Sequence, residues 1–188
     1  MEHSAWFKTW FNSPFYHILY KHRDDTEARI FMSNLAEYLH LPPKASILDA
    51  ACGKGRHSAF LSSNGFKVTG FDLASESIAY AKQQYADLPN LEFFVHDIRE
   101  TFKAASFNYV FNLFTSFGYF ETDEENIKTI QALANSLHNQ GVLVIDFFNA
   151  NKVTKMLPHK DQKHLDGIDF LIEKSLQNRI IVKDIRFE

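Results

Sequence analysis

The chain has 188 residues, enough for one domain with a substantial core and too few for two large ones. A formal net charge of −3, with no Lys/Arg run, offers no field for a phosphate backbone and disfavours a nucleic-acid partner. The single cysteine, Cys52, excludes an internal disulfide and fits a reducing, cytoplasmic compartment. No apolar run reaches membrane-spanning length and no signal-peptide pattern opens the chain, so no membrane partner is expected.

Residues 3–20 carry an aromatic stripe, Trp6, Phe7, Trp10, Phe11, Phe15, Tyr16 and Tyr20, interrupted at Asn12-Ser13-Pro14. An amphipathic helix is predicted from about Thr26 to His40, with Ile30, Leu35, Tyr38 and Leu39 toward the core, and Pro42-Pro43 ends it. Strands and helices then alternate. Strands are predicted at 47–50, 67–72, 91–95, 107–112 and 142–148, and helices at about 56–64, 75–86 and 123–137. Such alternation implies right-handed βαβ units: an α/β, Rossmann-like doubly wound, mostly parallel sheet with helices on both faces. Residues 151–167 read as polar and irregular. Two strand-like runs, Ile168–Lys174 and Arg179–Phe187, then suggest a C-terminal antiparallel hairpin turning at Gln177-Asn178. The expected organisation is an N-terminal aromatic lid and helical segment at 1–43, a core at 44–150, and the hairpin part at 151–188.

The chemistry concentrates in Ile47-Leu48-Asp49-Ala50-Ala51-Cys52-Gly53-Lys54-Gly55-Arg56, a buried strand running into a glycine turn that opens a helix. Glycine lets backbone N–H groups approach a ligand closely. The next strand, Lys67-Val68-Thr69-Gly70-Phe71-Asp72, ends in an acid placed to receive two ribose hydroxyls. Together they point to an adenosine-containing cofactor. A carboxylate at Asp49, beside the turn, repels a pyrophosphate and attracts an ammonium, which disfavours a dinucleotide. Asp49, Asp72 and Asp97 can each be read instead as turn acids. Cys52 reads as a small packing residue rather than a nucleophile. The nine histidines form no ligand pair at helical or turn spacing, so no metal is expected. His57 and His96 read equally as hydrogen-bonded walls or catalytic bases.

Five segments in order resemble the class I S-adenosylmethionine-dependent methyltransferases over about residues 44–150. They are the glycine turn, Asp72 within Gly70-Phe71-Asp72-Leu73-Ala74, Asp97 within His96-Asp97-Ile98, Asn112-Leu113-Phe114-Thr115-Ser116-Phe117-Gly118-Tyr119, and Gly141 to Asp146. The resemblance implies S-adenosylmethionine as cofactor and S-adenosylhomocysteine as product. It implies a cofactor site of Asp49, Ala51, Cys52, Gly53, Gly55, Asp72, Leu73, Asp97, Ile98, Asn112, Leu113 and Phe114. Asp49 would lie near the ammonium, Asp72 on the ribose hydroxyls, and Asp97 on the exocyclic amine of an adenine held between Leu73 and Ile98. Arg23, with Arg29 as rival, would bind the methionyl carboxylate. The acceptor pocket would draw on Tyr16, Tyr20, His22, Ser116, Phe117 and Tyr119.

The expected activity is in-line methyl transfer to a small-molecule acceptor, with no residue announcing itself as a base. A nicotinamide-dependent oxidoreductase is the alternative, weakened by Ser58 where a third glycine would stand. A catalytically silent S-adenosylmethionine-binding protein is another. Asn112-Leu113-Phe114-Thr115 departs from the Asn/Asp-Pro-Pro-Tyr/Phe tetrad of base-modifying members. The family's sheet has seven strands, whereas five are legible here. With no helix between the fifth strand and the hairpin, 168–187 reads as an insertion, and the chain as a fragment or as a short protein. Its open sheet edge or N-terminal aromatic patch would then serve a homodimer.

Overall fold

The computed structural model describes residues 6–21, 25–178 and 180–188. In chain order the elements are α1 (Trp6–Asn12), α2 (Pro14–Leu19), α3 (Asp25–Tyr38), β1 (Ser46–Ala50), α4 (Arg56–Ser63), β2 (Lys67–Asp72), α5 (Ser75–Gln84) and β3 (Leu91–Val95). They continue with β4 (Phe107–Asn112), α6 (Asp123–Asn135), β5 (Leu137–Ile145), α7 (Ala150–Thr154), β6 (His159–Leu165), β7 (Ile168–Gln177) and β8 (Ile180–Phe187). They fall into two compact units, residues 6–13 with 25–147 and residues 14–21 with 148–188.

In the first unit, five parallel strands lie in the order β3-β2-β1-β4-β5. The connections from β1 run one way and those from β4 the other, so the sheet reverses its winding between β1 and β4. In open α/β sheets that reversal opens a crevice beyond the strands' carboxyl ends. Both faces are covered. Ile47, Val68 and Phe111 pack against Met32 of α3 and Leu61 of α4. Leu48, Ala50, Phe71 and Val110 pack against Leu133 of α6. Ile78 and Ala81 of α5 close over Phe93 and Cys52.

The helix α3 turns a different stripe inward from the one its sequence suggests. Ala28 and Met32 are buried, with Phe31, Leu35 and Leu39 against the core, whereas Ile30 and Tyr38 are 56% and 81% exposed. The buried set follows the i, i+4, i+7 row, and Ile30 and Tyr38 lie off its phase.

The strand β5 starts five residues earlier than expected. Leu137 pairs with Phe107, and an irregularity between Phe107 and Tyr109 carries the ladder past Gln140-Gly141. Gly141 therefore marks a bulge-like step within the strand rather than its start.

The second unit holds a three-stranded antiparallel sheet, β6-β7-β8, separate from the parallel one. The hairpin β7-β8 was legible, but 151–167 is not irregular. Asn149 caps α7 by accepting the Lys152 N–H at 3.1 Å, and β6 pairs with β7 from His159↔Lys174 to Leu165↔Ile168. Charged His159-Lys160-Asp161-Gln162-Lys163-His164 lacks apolar alternation because it forms an exposed edge strand, where charge is tolerated. Phe15 of α2 stacks on Phe187 at 4.1 Å.

Candidate active site

The end of β1 turns through Ala51, at φ 63°, into Gly53 and Gly55, at φ 55° and 79°. Cys52 N–H donates to the Phe71 carbonyl at 2.9 Å and Gly55 N–H to the Cys52 carbonyl at 3.0 Å, which sets the turn against the end of β2. Gly55 is the N-cap of α4. A Cβ there would overlap the Phe93 ring, so its role is packing as well as conformation. A Cβ on Gly53 would meet nothing within 4 Å. The outer face of the turn is open at Gly53, where a ligand can lie against bare backbone.

Asp72 joins the turn to the next helix. Its Oδ2 accepts the Gly53 N–H at 2.8 Å and its Oδ1 accepts the Ala74 N–H at 2.8 Å. Burial raises its pKa above the ordinary 3.8, against the pull of those backbone N–H groups. A carboxylate has about four lone-pair sites, so two bonds leave acceptor capacity.

Asp49 is only 2% exposed, and its Oδ2 accepts the Ser58 hydroxyl at 2.6 Å. Burial pushes its pKa up to about 6, with the Ser58 bond opposing and the charge of Asp72 adding to the rise. Cys52 is buried, and its thiol is driven well above its usual range by burial and then by Asp49 and Asp72.

After β3, Asp97 is clamped by Arg99. The Arg99 backbone N–H and Nε donate to Asp97 Oδ1 at 2.9 and 3.0 Å, and Nη2 donates to Oδ2 at 2.6 Å. Ile98 packs on the core beneath, beside Phe94 and Phe102, and Leu73 is half-buried. His96 Nε2 lies 2.8 Å from the Glu100 carbonyl, with its ring edge-on to Phe71 and Phe102.

After β4 the chain makes an unusual turn. Asn112 is fully buried and donates its Nδ2 to the Ala50 carbonyl at 2.9 Å, across the β1–β4 reversal. Its Oδ1 is buried with no hydrogen-bond partner among the described residues. Leu113 is a core residue, 4% exposed. Phe114 and Thr115 both have positive φ, 56° and 59°. The Phe114 ring stacks on His57 at 4.7 Å, with the Arg56 guanidinium 4.9 Å from its centroid. A cavity of about 560 Å3 opens beside it, lined by Thr26, Glu27, Ile30, Phe31, Asn34, Phe114 and Asp146. Ser116 donates to the Leu113 carbonyl at 2.7 Å, Phe117 meets Phe147 edge-on, and Tyr119 meets Trp6 and Phe11 of α1.

Thus the turn, Asp49, Asp72, Asp97, Asn112 and Phe114 gather at the carboxyl ends of the parallel strands, with Ser116, Phe117 and Tyr119 on the segment after β4. Tyr16 and Tyr20 belong to the second unit, where their rings are 4.9 Å apart and Lys183 donates to the Tyr20 hydroxyl. His22 and Arg23 lie outside the described residues, and Arg29 is exposed on α3. Sequence reasoning passed over Arg99, and it placed Asp146 only at the end of the fifth segment, with no role on Phe114. The Asp97-x-Arg99 spacing was a usable signal, whereas the left-handed pair at 114–115 has none. Among the described residues, no group of three or more His, Cys, Asp or Glu side chains could hold a metal ion, and no helix is long and apolar enough to cross a membrane.

Residues 47–141 match the model of a methyltransferase domain family. The methyltransferase-named protein YqeM of Bacillus subtilis is 34% identical over 119 residues, which cover 63% of this chain and 48% of YqeM. A dTDP-3-amino-3,4,6-trideoxy-alpha-D-glucopyranose N,N-dimethyltransferase of Streptomyces venezuelae is 29% identical over 105 residues, 56% of this chain and 43% of that protein. The chain spans about half the length of these curated relatives. Its fold is shared with the crystal structure of an S-adenosylmethionine-dependent methyltransferase from Clostridium acetobutylicum. The TM-score is 0.74 at 20% identity, over 92% of this chain and 71% of that one. Motif, topology and family match coincide on the same strand ends, and the chain belongs to the class I S-adenosylmethionine-dependent methyltransferases.

Proposed function

We propose that this chain carries out methyl transfer from S-adenosylmethionine to a small-molecule acceptor, at the crevice beyond β1, β2 and β4. The observation that carries this reading is the pairing of Asp72 with Gly53. A carboxylate anchored by two backbone N–H groups lies beside a turn whose outer face has no atom where a Cβ would stand. That donor set suits a nucleoside. Asp72 retains acceptor sites for vicinal hydroxyls, and Gly53 permits close approach. Asp97 and Asp49 add acceptors for an amine and an ammonium. The negative charge at Asp49 disfavours the pyrophosphate of a dinucleotide, which argues against the nicotinamide alternative.

S-adenosylmethionine, when bound, supplies a methyl group on a sulfonium cation. The protein's part is to hold donor and acceptor in line and to keep water out, which aligned reactants turn into several kcal/mol of barrier reduction. Phe114, Phe117 and Tyr119 supply apolar walls after β4, and Leu73 and Ile98 those beside Asp72 and Asp97. Ser116 is committed to the Leu113 carbonyl, so its hydroxyl orders the loop rather than serving as a base.

The Streptomyces venezuelae relative acts, by its name, on a nucleotide-linked amino sugar. This supports a small polar acceptor and makes amino sugars the first class to screen.

Calorimetric titration with S-adenosylhomocysteine beside NAD, repeated on Asp72→Ala, tests the reading. Binding of S-adenosylhomocysteine alone, lost in the variant, is the expected result. Preference for NAD, or binding indifferent to Asp72, overturns it.

A further inference from the structure

Arg99 has no assigned role, yet it is the most heavily engaged side chain near the strand ends. It meets Asp97 through its backbone N–H, Nε and Nη2, all between 2.6 and 3.0 Å. Its remaining nitrogen, Nη1, donates to Glu125 Oε1 at 2.6 Å, on the first turn of α6. The guanidinium plane lies 4.6 Å from the Phe120 ring centroid, and Phe120 in turn meets Phe7 of α1 edge-on. The segment after β3 and the 120–125 stretch after β4 are therefore fixed to each other through a single planar group, with α1 reached through Phe120. Lysine cannot do this, because a point charge on a flexible stem gives neither the two-pronged grip nor the stacking face.

The consequence falls on Asp97. An isolated carboxylate at a loop rotates freely about χ2, and its acceptor direction is undefined. Gripped by Nε on one oxygen and Nη2 on the other, the Asp97 carboxylate has its plane set by the guanidinium. Glu125 balances the arginine, and Thr122, accepting the Glu125 N–H at 3.2 Å, fixes where that glutamate begins.

We infer that Arg99 is a positioning residue that orients the Asp97 carboxylate toward the exocyclic amine of a bound adenine, and so sets the purine preference of the cofactor site. This rests on the methyl-transfer reading above. The test compares S-adenosylhomocysteine with S-inosylhomocysteine, which presents an oxygen in place of the amine. Both are titrated into the full chain, wild type and the Arg99→Lys, Arg99→Ala and Glu125→Gln variants, with thermal unfolding of each.

The wild type is expected to prefer the adenine ligand by about 10- to 100-fold, as for a site built around a hydrogen bond to one group. Arg99→Lys and Arg99→Ala are expected to bring that ratio toward unity. Glu125→Gln, which leaves the grip on Asp97 intact, is expected to keep it. If Arg99→Ala unfolds, Arg99→Lys decides alone.

A weaker affinity with an unchanged ratio would make Arg99 merely structural and overturn the inference, as would a wild type with no preference between the two ligands. A wild type that binds neither ligand overturns the methyl-transfer reading, and this inference with it.

Discussion

The carboxylate of Asp146, the residue after β5, accepts the backbone N–H of Phe114 at 2.9 Å, while the Asp146 carbonyl accepts that of Thr115 at 3.2 Å. One residue thereby holds two successive left-handed residues, neither of them glycine, at the exit of β4. Left-handed backbone costs about 1–2 kcal/mol for each such residue. Asp146→Ala is expected to lower stability by about 1–3 kcal/mol, because Phe114 loses its side-chain anchor while Thr115 keeps its bond to the backbone carbonyl. Thr115→Gly is expected to be neutral or to stabilise by up to ~1 kcal/mol. Urea unfolding of both variants checks the pair, and equal destabilisation would refute the strain argument.

Gly53 and Gly55 separate ligand approach from packing. Gly53→Ala meets no neighbour, so its expected cost is about 1 kcal/mol of stability from the positive φ alone. Its effect on S-adenosylhomocysteine affinity should be larger, about tenfold or more, since the new methyl enters the open face of the turn. Gly55→Ala runs into the Phe93 ring and is expected to destabilise by about 2 kcal/mol or more. Paired calorimetry and thermal melts distinguish the two, and the same ratio of binding loss to stability loss in both would contradict the division.

Asp72→Asn tests the anchor more gently than alanine does. The amide keeps one acceptor oxygen but turns an N–H toward either Gly53 or Ala74, so one bond becomes a clash of donors. Affinity for S-adenosylhomocysteine is expected to fall by about 10- to 100-fold, with the variant still folded by circular dichroism.

Asp49 gives the ligand-free protein a pH dependence of unusual sign. Its folded pKa is about 6 against an ordinary 3.8, so the folded state binds the proton more tightly. The stability associated with this group is therefore full below about pH 4 and lost as pH rises through 6, about 3 kcal/mol in all. Asp49→Asn should flatten that slope and stabilise the ligand-free chain at pH 7–8. Affinity for S-adenosylhomocysteine, whose ammonium favours the ionised carboxylate, should rise with pH through 6 in the wild type and not in the variant. Denaturant titrations and calorimetry between pH 4.5 and 8 read both; a wild-type stability that climbs over that window from this group would refute the assignment.

Much of the parallel unit was legible because burial on both faces writes near-continuous apolar runs, as in Ile47-Leu48 and Val110-Phe111. The glycine turn and Asp72 were legible for a second reason: their conformational and chemical needs admit few residue types. Illegible were the features set by partners distant in sequence. Nothing local in Ile30 tells it from Met32 until the phase of α3 against β1 is known. Strand β6 has charge where a pattern was sought, since it is an exposed edge whose side chains make surface polar pairs, Lys160 with Glu173 and His164 with Asp169, rather than a core. The grip of Arg99 on Glu125 spans 26 residues, and the turn at Phe114 depends on a carboxylate 32 residues away.

The bridge from Asn112 to Ala50 joins residues 62 apart in sequence, with β2 and β3 formed from the chain between them. Closing so long a loop is costly until local pairings have shortened it, so the β1–β4 seam is expected to join late in folding. Asn112→Ala should then speed unfolding far more than it slows refolding in stopped-flow denaturant jumps. Nascent chains that have paired β1, β2 and β3 would already carry Gly53, Asp72 and Asp97, while the Phe114 wall joins only when the seam closes.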